Sequence, residues 1–164
     1  MVGLRGIVRQ VLGVDPAGDG TGEGAGGGEP RVVLFVDGPN VLRDEFDVDL
    51  DEVRDTARDR GRVTVARLYL DERAPGGLVQ AAEARGFEVV VTSGDVDVRL
   101  AIDATEAVCS GTVDLVAVAS RDTDFKPVLE AAGRRGLRTL AIAPGEYGRS
   151  DALANAADEA VVLE

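Results

Sequence analysis

The 164-residue chain has no histidine, no tryptophan and a single cysteine, Cys109. One cysteine excludes an internal disulfide framework, and without histidine neither a Cys/His zinc site nor a histidine general base can be built. Lysine is almost missing: of 18 basic residues only Lys126 is lysine. No apolar run approaches the ~20 residues that a membrane span needs. The opening "MVGLRGIVRQVLGV" is too short and too interrupted by arginine for a secretory signal. These absences lead to the expectation of a cytoplasmic protein without a membrane span.

What is present is acid. Asp and Glu total 30, the net charge is −12 and the sequence pI is near 4.4. Such a surface repels nucleic acid at low salt. Either the protein avoids nucleic acid, or the acidity is a proteome-wide adaptation to concentrated salt, where a Debye length of ~3 Å at molar salt screens the repulsion. The lysine-poor, aspartate-rich composition resembles halophilic, in particular haloarchaeal, proteins and favours the second reading. Hydrophobic residues make up 45%, enough for one domain with a core.

Three regions follow along the chain. In 1–14, Leu4, Ile7, Val8, Val11 and Leu12 fall at helical spacing, which predicts a short amphipathic segment that docks on its own domain or on a protein partner. Its thin polar face makes a membrane-surface role the weaker alternative. Residues 15–30 form a Gly-rich flexible linker. Its Gly22, Gly24 and Gly27 match a dinucleotide fingerprint, but no strand precedes and no helix follows, so no such cofactor is expected. Residues 31–164 form the domain, with strands expected at 32–36, 63–70, 87–92, 113–119, 137–143 and 160–163. Helices are expected at 49–60, 77–85, 97–109, 125–135 and 152–157. Gly86, Gly111 and Gly136 stand where helices end. Strands alternate with helices, and several strands are continuously apolar. This predicts a doubly wound α/β three-layer sandwich with a mainly parallel central sheet, Rossmann-like in kind, its last strand at an edge.

Such sheets hold ligands at the carboxyl ends of their strands. The first strand, "VVLFV", runs straight into Asp37, with Asn40 three residues on. The fourth ends at Ser120 and continues Arg121, Asp122, Thr123, Asp124. Asp95 and Asp97 lead into the middle helix. If the first and fourth strands are neighbours, Asp37 and Asp122 meet, and Asp97 arrives on the helix before the fourth strand. Clustered carboxylates repel unless a cation neutralises them. Oxygen donors without Cys or His select Mg²⁺ or Mn²⁺, which suits phosphodiester cleavage. Each residue also has a plainer role. Asp97 and Asp124 suit helix caps, Asp122 suits a turn, and Asp103 suits an ion pair with Arg99. Asp44, Asp47, Asp49, Asp51 and Asp55 read as a solvated face, and Cys109 as a buried core thiol. Asp37 has no such plain reading. A covalent phosphotransferase is disfavoured, because no Asp-x-Asp pair follows the first strand.

The blocks "FVDGPNV", "GDVDVRLAIDA" and "ASRDTDFKPVLEAAGRRGLRT" resemble, in that order and spacing, the motif blocks of NYN-domain proteins of the PIN-like ribonuclease superfamily. The likeness covers 31–164 and implies a PIN-like fold and a metal-dependent endoribonuclease acting on RNA. It implies Asp37, Asp97, Asp122 and Asp124 as catalytic Mg²⁺ or Mn²⁺ ligands. Asn40 would orient Asp37 or touch the substrate phosphate, and Ser120 and Thr123 would support by hydrogen bonds. Many relatives carry a lysine where Gly94-Asp95 stands here; Arg99 or Arg121 would have to replace that phosphate contact. Arg43, Arg121 and Arg149 are further candidates for the RNA backbone. A homodimer, and a non-catalytic RNA- or protein-binding role on the same fold, are the remaining expectations.

Overall fold

The structure is a computed structural model that describes residues 27–43 and 47–164. The amphipathic segment at 1–14, the linker up to residue 26 and Asp44 lie outside the described residues. The domain contains β1 (Arg31–Asp37), α1 (Gly38–Val41), α2 (Leu50–Arg58), β2 (Arg62–Asp71), α3 (Gly76–Ala84), β3 (Glu88–Thr92) and α4 (Val96–Cys109). There follow β4 (Leu115–Ala119), α5 (Lys126–Arg134), β5 (Arg138–Ala143), α6 (Asp151–Ala156) and β6 (Glu159–Val162). The six strands form one sheet in the order β3-β2-β1-β4-β5-β6, and every pairing is parallel. The expected elements are all present, β1 and β4 are neighbours at the switch point, and β6 lies at an edge.

The apolar runs make strands because both faces of the sheet are covered. In β1, Val32, Leu34 and Val36 pack with α1, α2 and α3 on one face. Val33 and Phe35 pack with α4, α5 and α6 on the other. Alternate side chains leave a strand on opposite faces, so a strand clad on both sides has no polar position. Helix α4 buries Val96, Leu100, Ala104 and Val108, spaced for one face of a helix. Gly86 and Gly136 take φ of +83° and +78°, the left-handed conformation that ends α3 and α5 as expected.

One expectation is corrected here. Cys109 is exposed, because at ~100° per residue it lies a quarter-turn past buried Val108, toward the outward side of Val98 and Ile102. After β1 the chain makes a four-residue helical turn, α1, with Pro39 in its first positions, where the missing N–H costs nothing. Gly38 is required there: a Cβ would collide with the carbonyl oxygen of Tyr69 and the side chain of Leu70. Register sets the outcome at the strand ends. Val36 pairs with Ala119, so the next residues, Asp37 and Ser120, finish side by side.

Candidate metal centre

The structure brings together Asp97, Asp122 and Asp124. One ligand oxygen from each lies within 4.8 Å of the other two. Asp97 sits in the first turn of α4. Asp122 and Asp124 come from the loop after β4, where 124 opens into a 3₁₀ turn, Thr123–Phe125. Phe125 is fully buried, and burying an aromatic ring stabilises by about 2 kcal/mol. That anchor fixes the turn and the two acids it carries.

The capping alternatives resolve differently from expectation. Helix α4 begins one residue early, with Asp95 at its N-cap, so Asp97 is not the cap. Asp122, not Asp124, is the capping residue: its Oδ1 accepts the Asp124 N–H at 2.9 Å. That bond uses one oxygen of Asp122. Among the described residues no ion pair reaches Asp97, Asp122 or Asp124.

Asp37 lies outside this group of three, only 1% exposed. Its Oδ2 accepts from Asn40 Nδ2 at 2.5 Å and from Ser120 Oγ at 2.9 Å. Burial pushes its carboxyl above the ordinary aspartate value; the hydrogen bonds from Asn40 and Ser120 oppose this, and the charge of Asp122 adds to it. Ser120 Oγ also accepts the Asp122 N–H at 3.0 Å. A chain therefore runs from Asp37 through Ser120 to the backbone of Asp122. Asn40 Oδ1 in turn accepts from Arg121 Nε at 3.3 Å. Asn40 thus joins the Asp37 carboxylate to Arg121.

Other expected residues fall elsewhere. Thr123 is exposed, and its hydroxyl makes no hydrogen bond among the described residues, so it gives no support of the kind expected. Arg99 is held by Asp103, Nε to Oδ1 at 3.1 Å, which satisfies the ion-pair reading and turns this arginine from the acid group. Arg149 pairs with Asp151 at 3.2 Å. A buried contact that the sequence did not reveal is Tyr69 Oη donating to Asp103 Oδ2 at 2.8 Å. Burial, and then the Asp103 carboxylate, push the Tyr69 hydroxyl well above its usual value. The only signal was parity: Tyr69 shares its strand face with residues packed under α4.

The donor set suits a hard divalent cation. Three carboxylates converge with no thiol or imidazole among them and no ion-pair partner among the described residues, and an all-oxygen donor set of this kind favours hard cations over softer metals.

Comparisons agree with the residue blocks. The model of the NYN domain matches residues 31–164. An uncharacterized protein of Methanocaldococcus jannaschii is 42% identical over 136 residues, covering 83% of this chain and 56% of its own length. The chain therefore spans little more than half of that relative. It gives no support to a haloarchaeal source, which rests on composition. The solved structure of a protein of unknown function from Vibrio parahaemolyticus superposes with a TM-score of 0.72 at 22% identity, covering 85% of this chain and 96% of that one. That likeness establishes the fold.

Proposed function

The chain belongs to the NYN domain family, and from that premise we propose that it is a metal-dependent endoribonuclease. The observation that carries the reading is the meeting of Asp97, Asp122 and Asp124 at the carboxyl edge of a parallel sheet, beside the buried Asp37. In this reading these three carboxylates hold Mg²⁺ or Mn²⁺, and Asp37 completes the site from the end of β1. Such an ion, when bound, polarises a phosphoryl oxygen and acidifies a water.

The chain's own residues supply the remainder. Asn40 and Ser120 fix the Asp37 carboxylate, and Ser120 also fixes the Asp122 backbone, so the strand ends and the loop keep one geometry. Asp124, the exposed member, faces the solvent from which the attacking water comes and can take its proton at a carboxylate oxygen. Arg121, linked to Asn40, is a cation beside the site that would steady an RNA phosphate. The net charge of −12 makes association with RNA salt-assisted in the unusual direction: added salt screens repulsion. A concentrated-salt, cytoplasmic setting is part of the same proposal.

The test is cleavage of end-labelled single-stranded RNA with Mn²⁺ at low and at molar KCl, for wild type, Asp37→Asn and Asp122→Asn. Wild type is expected to cut and both variants to fail. Equal cutting by all three removes the assignment. RNA retained without cleavage under every salt and metal condition would favour a non-catalytic binding module.

A further inference from the structure

The side of the sheet edge toward β6 holds two features that the acid group does not use. The first is a cavity of about 220 Å³ between α6 and the ends of β5 and β6. Ala141, Ala143, Ala154 and Ala160 line it; each presents a single methyl where a longer chain would fill the space. Ser120, Ser150 and Arg149 are its polar lining residues. The volume is below the roughly 300–1,000 Å³ of pockets for drug-sized ligands, so it suits one ring system rather than a larger molecule. Ser120 is shared: it lines the cavity and donates to Asp37. The cavity therefore opens beside the acid group.

The second feature is Tyr147, 98% exposed, on the turn Glu146–Gly148 that leads into Arg149. Only 4% of the chain is aromatic, and this ring takes no part in packing. Among the described residues the neighbouring guanidinium is ion-paired to Asp151 alone, with side chains 53% and 83% exposed, an exposed pair that exchanges readily for another anion. A guanidinium on the wall of a small mostly apolar cavity, with an exposed flat ring two residues before it in the chain, provides the groups with which proteins hold an unstacked base and its phosphate.

We propose that this cavity takes one nucleobase of single-stranded RNA, flanking the phosphodiester held at the acid group. Tyr147 stacks on that base or its neighbour, and Arg149 meets the backbone phosphate. The proposal rests on the nuclease reading for its substrate, but its binding test does not. The full chain is titrated with each nucleoside 5′-monophosphate in EDTA, following the alanine methyl NMR signals and tyrosine fluorescence, which no tryptophan obscures. Saturable shifts at Ala141, Ala143, Ala154 and Ala160 are expected, together with quenching of Tyr147. Ala160→Phe, on the edge strand, fills the cavity and is expected to abolish the shifts. Tyr147→Ala, at a fully exposed position, is expected to weaken binding about tenfold without disturbing the fold. Cleavage of RNA with an abasic residue beside the scissile bond should fall about tenfold relative to intact RNA. No methyl shifts, or shifts that persist in Ala160→Phe, overturn the proposal. Methyl shifts without any RNA cleavage would keep the base site and remove the nuclease reading. Cleavage indifferent to the abasic residue, with no methyl shifts, would do the reverse.

Discussion

Helix α4 carries aspartates in two opposite situations. Asp103, two turns in and 9% exposed, is surrounded by donors. Tyr69 Oη and Arg99 Nε bond its oxygens, and Arg67 approaches at 3.9 Å. Asp97, in the first turn, meets Asp122 and Asp124, and none of the three is ion-paired among the described residues. One helix thus holds an acid whose charge the fold balances and an acid whose charge it leaves open. Structural carboxylates elsewhere follow the first pattern: Asp114 binds Arg31 at 3.0 Å, and Glu159 binds Arg60. Those partners hold both carboxyls below the usual range. In a chain with 30 acids, the informative ones are those that gather without a counter-charge among the described residues, because carboxylates brought together repel one another and a cation offsets that repulsion.

The widest separation between the two places is expected from Asp122→Asn. Cleavage in Mn²⁺ should fall on the order of 100-fold or more, while the melting temperature in EDTA stays level or rises, since a repelling charge is removed. Mn²⁺ should raise the Tm of wild type by mass action and leave that of the variant unmoved. A large loss of Tm in EDTA would mean that the cluster is structural and would erase the contrast.

Asp103→Ala should do the opposite. It strands the Tyr69 hydroxyl and takes the partner from Arg99, while Arg67 keeps Glu88 at 2.8 Å, and is expected to cost about 2–3 kcal/mol in urea unfolding. Cleavage measured well below Tm should be retained. Cleavage lost in a folded variant would move Asp103 into the site.

Asp37→Asn sharpens the boundary between them. Its carboxyl titrates above the ordinary value of 3.8, burial being the main cause. A raised folded-state value means that the folded protein holds the proton more tightly than the unfolded chain. The contribution of Asp37 to stability is therefore full at low pH and is lost as pH rises through the raised value. Asparagine, which keeps the acceptor for Asn40 and Ser120, should raise Tm in EDTA at neutral pH. That gain should vanish as the pH is lowered below 3.8. A gain independent of pH would show that ionisation of Asp37 is not what the fold resists. Arg99→Ala should have the smallest effect, about 1 kcal/mol or less, because its side chain is 53% exposed.

Much of the fold was legible because its signals are local. The β-branched runs, the helical spacing of Val96, Leu100, Ala104 and Val108, and the glycines at 86 and 136 each act within a few residues. Asp37 stood out because an apolar strand has no reason to end on a charge. The less legible parts depend on residues distant in sequence. Cys109 has apolar neighbours in the chain but turns outward once α4 is seated. Gly38 looks like part of a Gly-Pro turn, yet it is glycine because Tyr69 and Leu70 of the adjacent strand press against it.

The sequence by itself determined the alternation of strands and helices, the parallel sheet and the set of aspartates at strand ends, since these follow from periodicity and residue type. Which aspartates face one another was decided by strand order and register. Placing Val36 opposite Ala119 puts Ser120 against Asp37, and the seating of α4 on the sheet brings Asp97 to Asp122 and Asp124. The same packing buries Asp37 outside that group of three and gives Asp103 to Tyr69 and Arg99. Charge and spacing along a chain name the candidates; only the distances between elements determine which carboxylates are neutralised by the protein and which gather without a counter-charge.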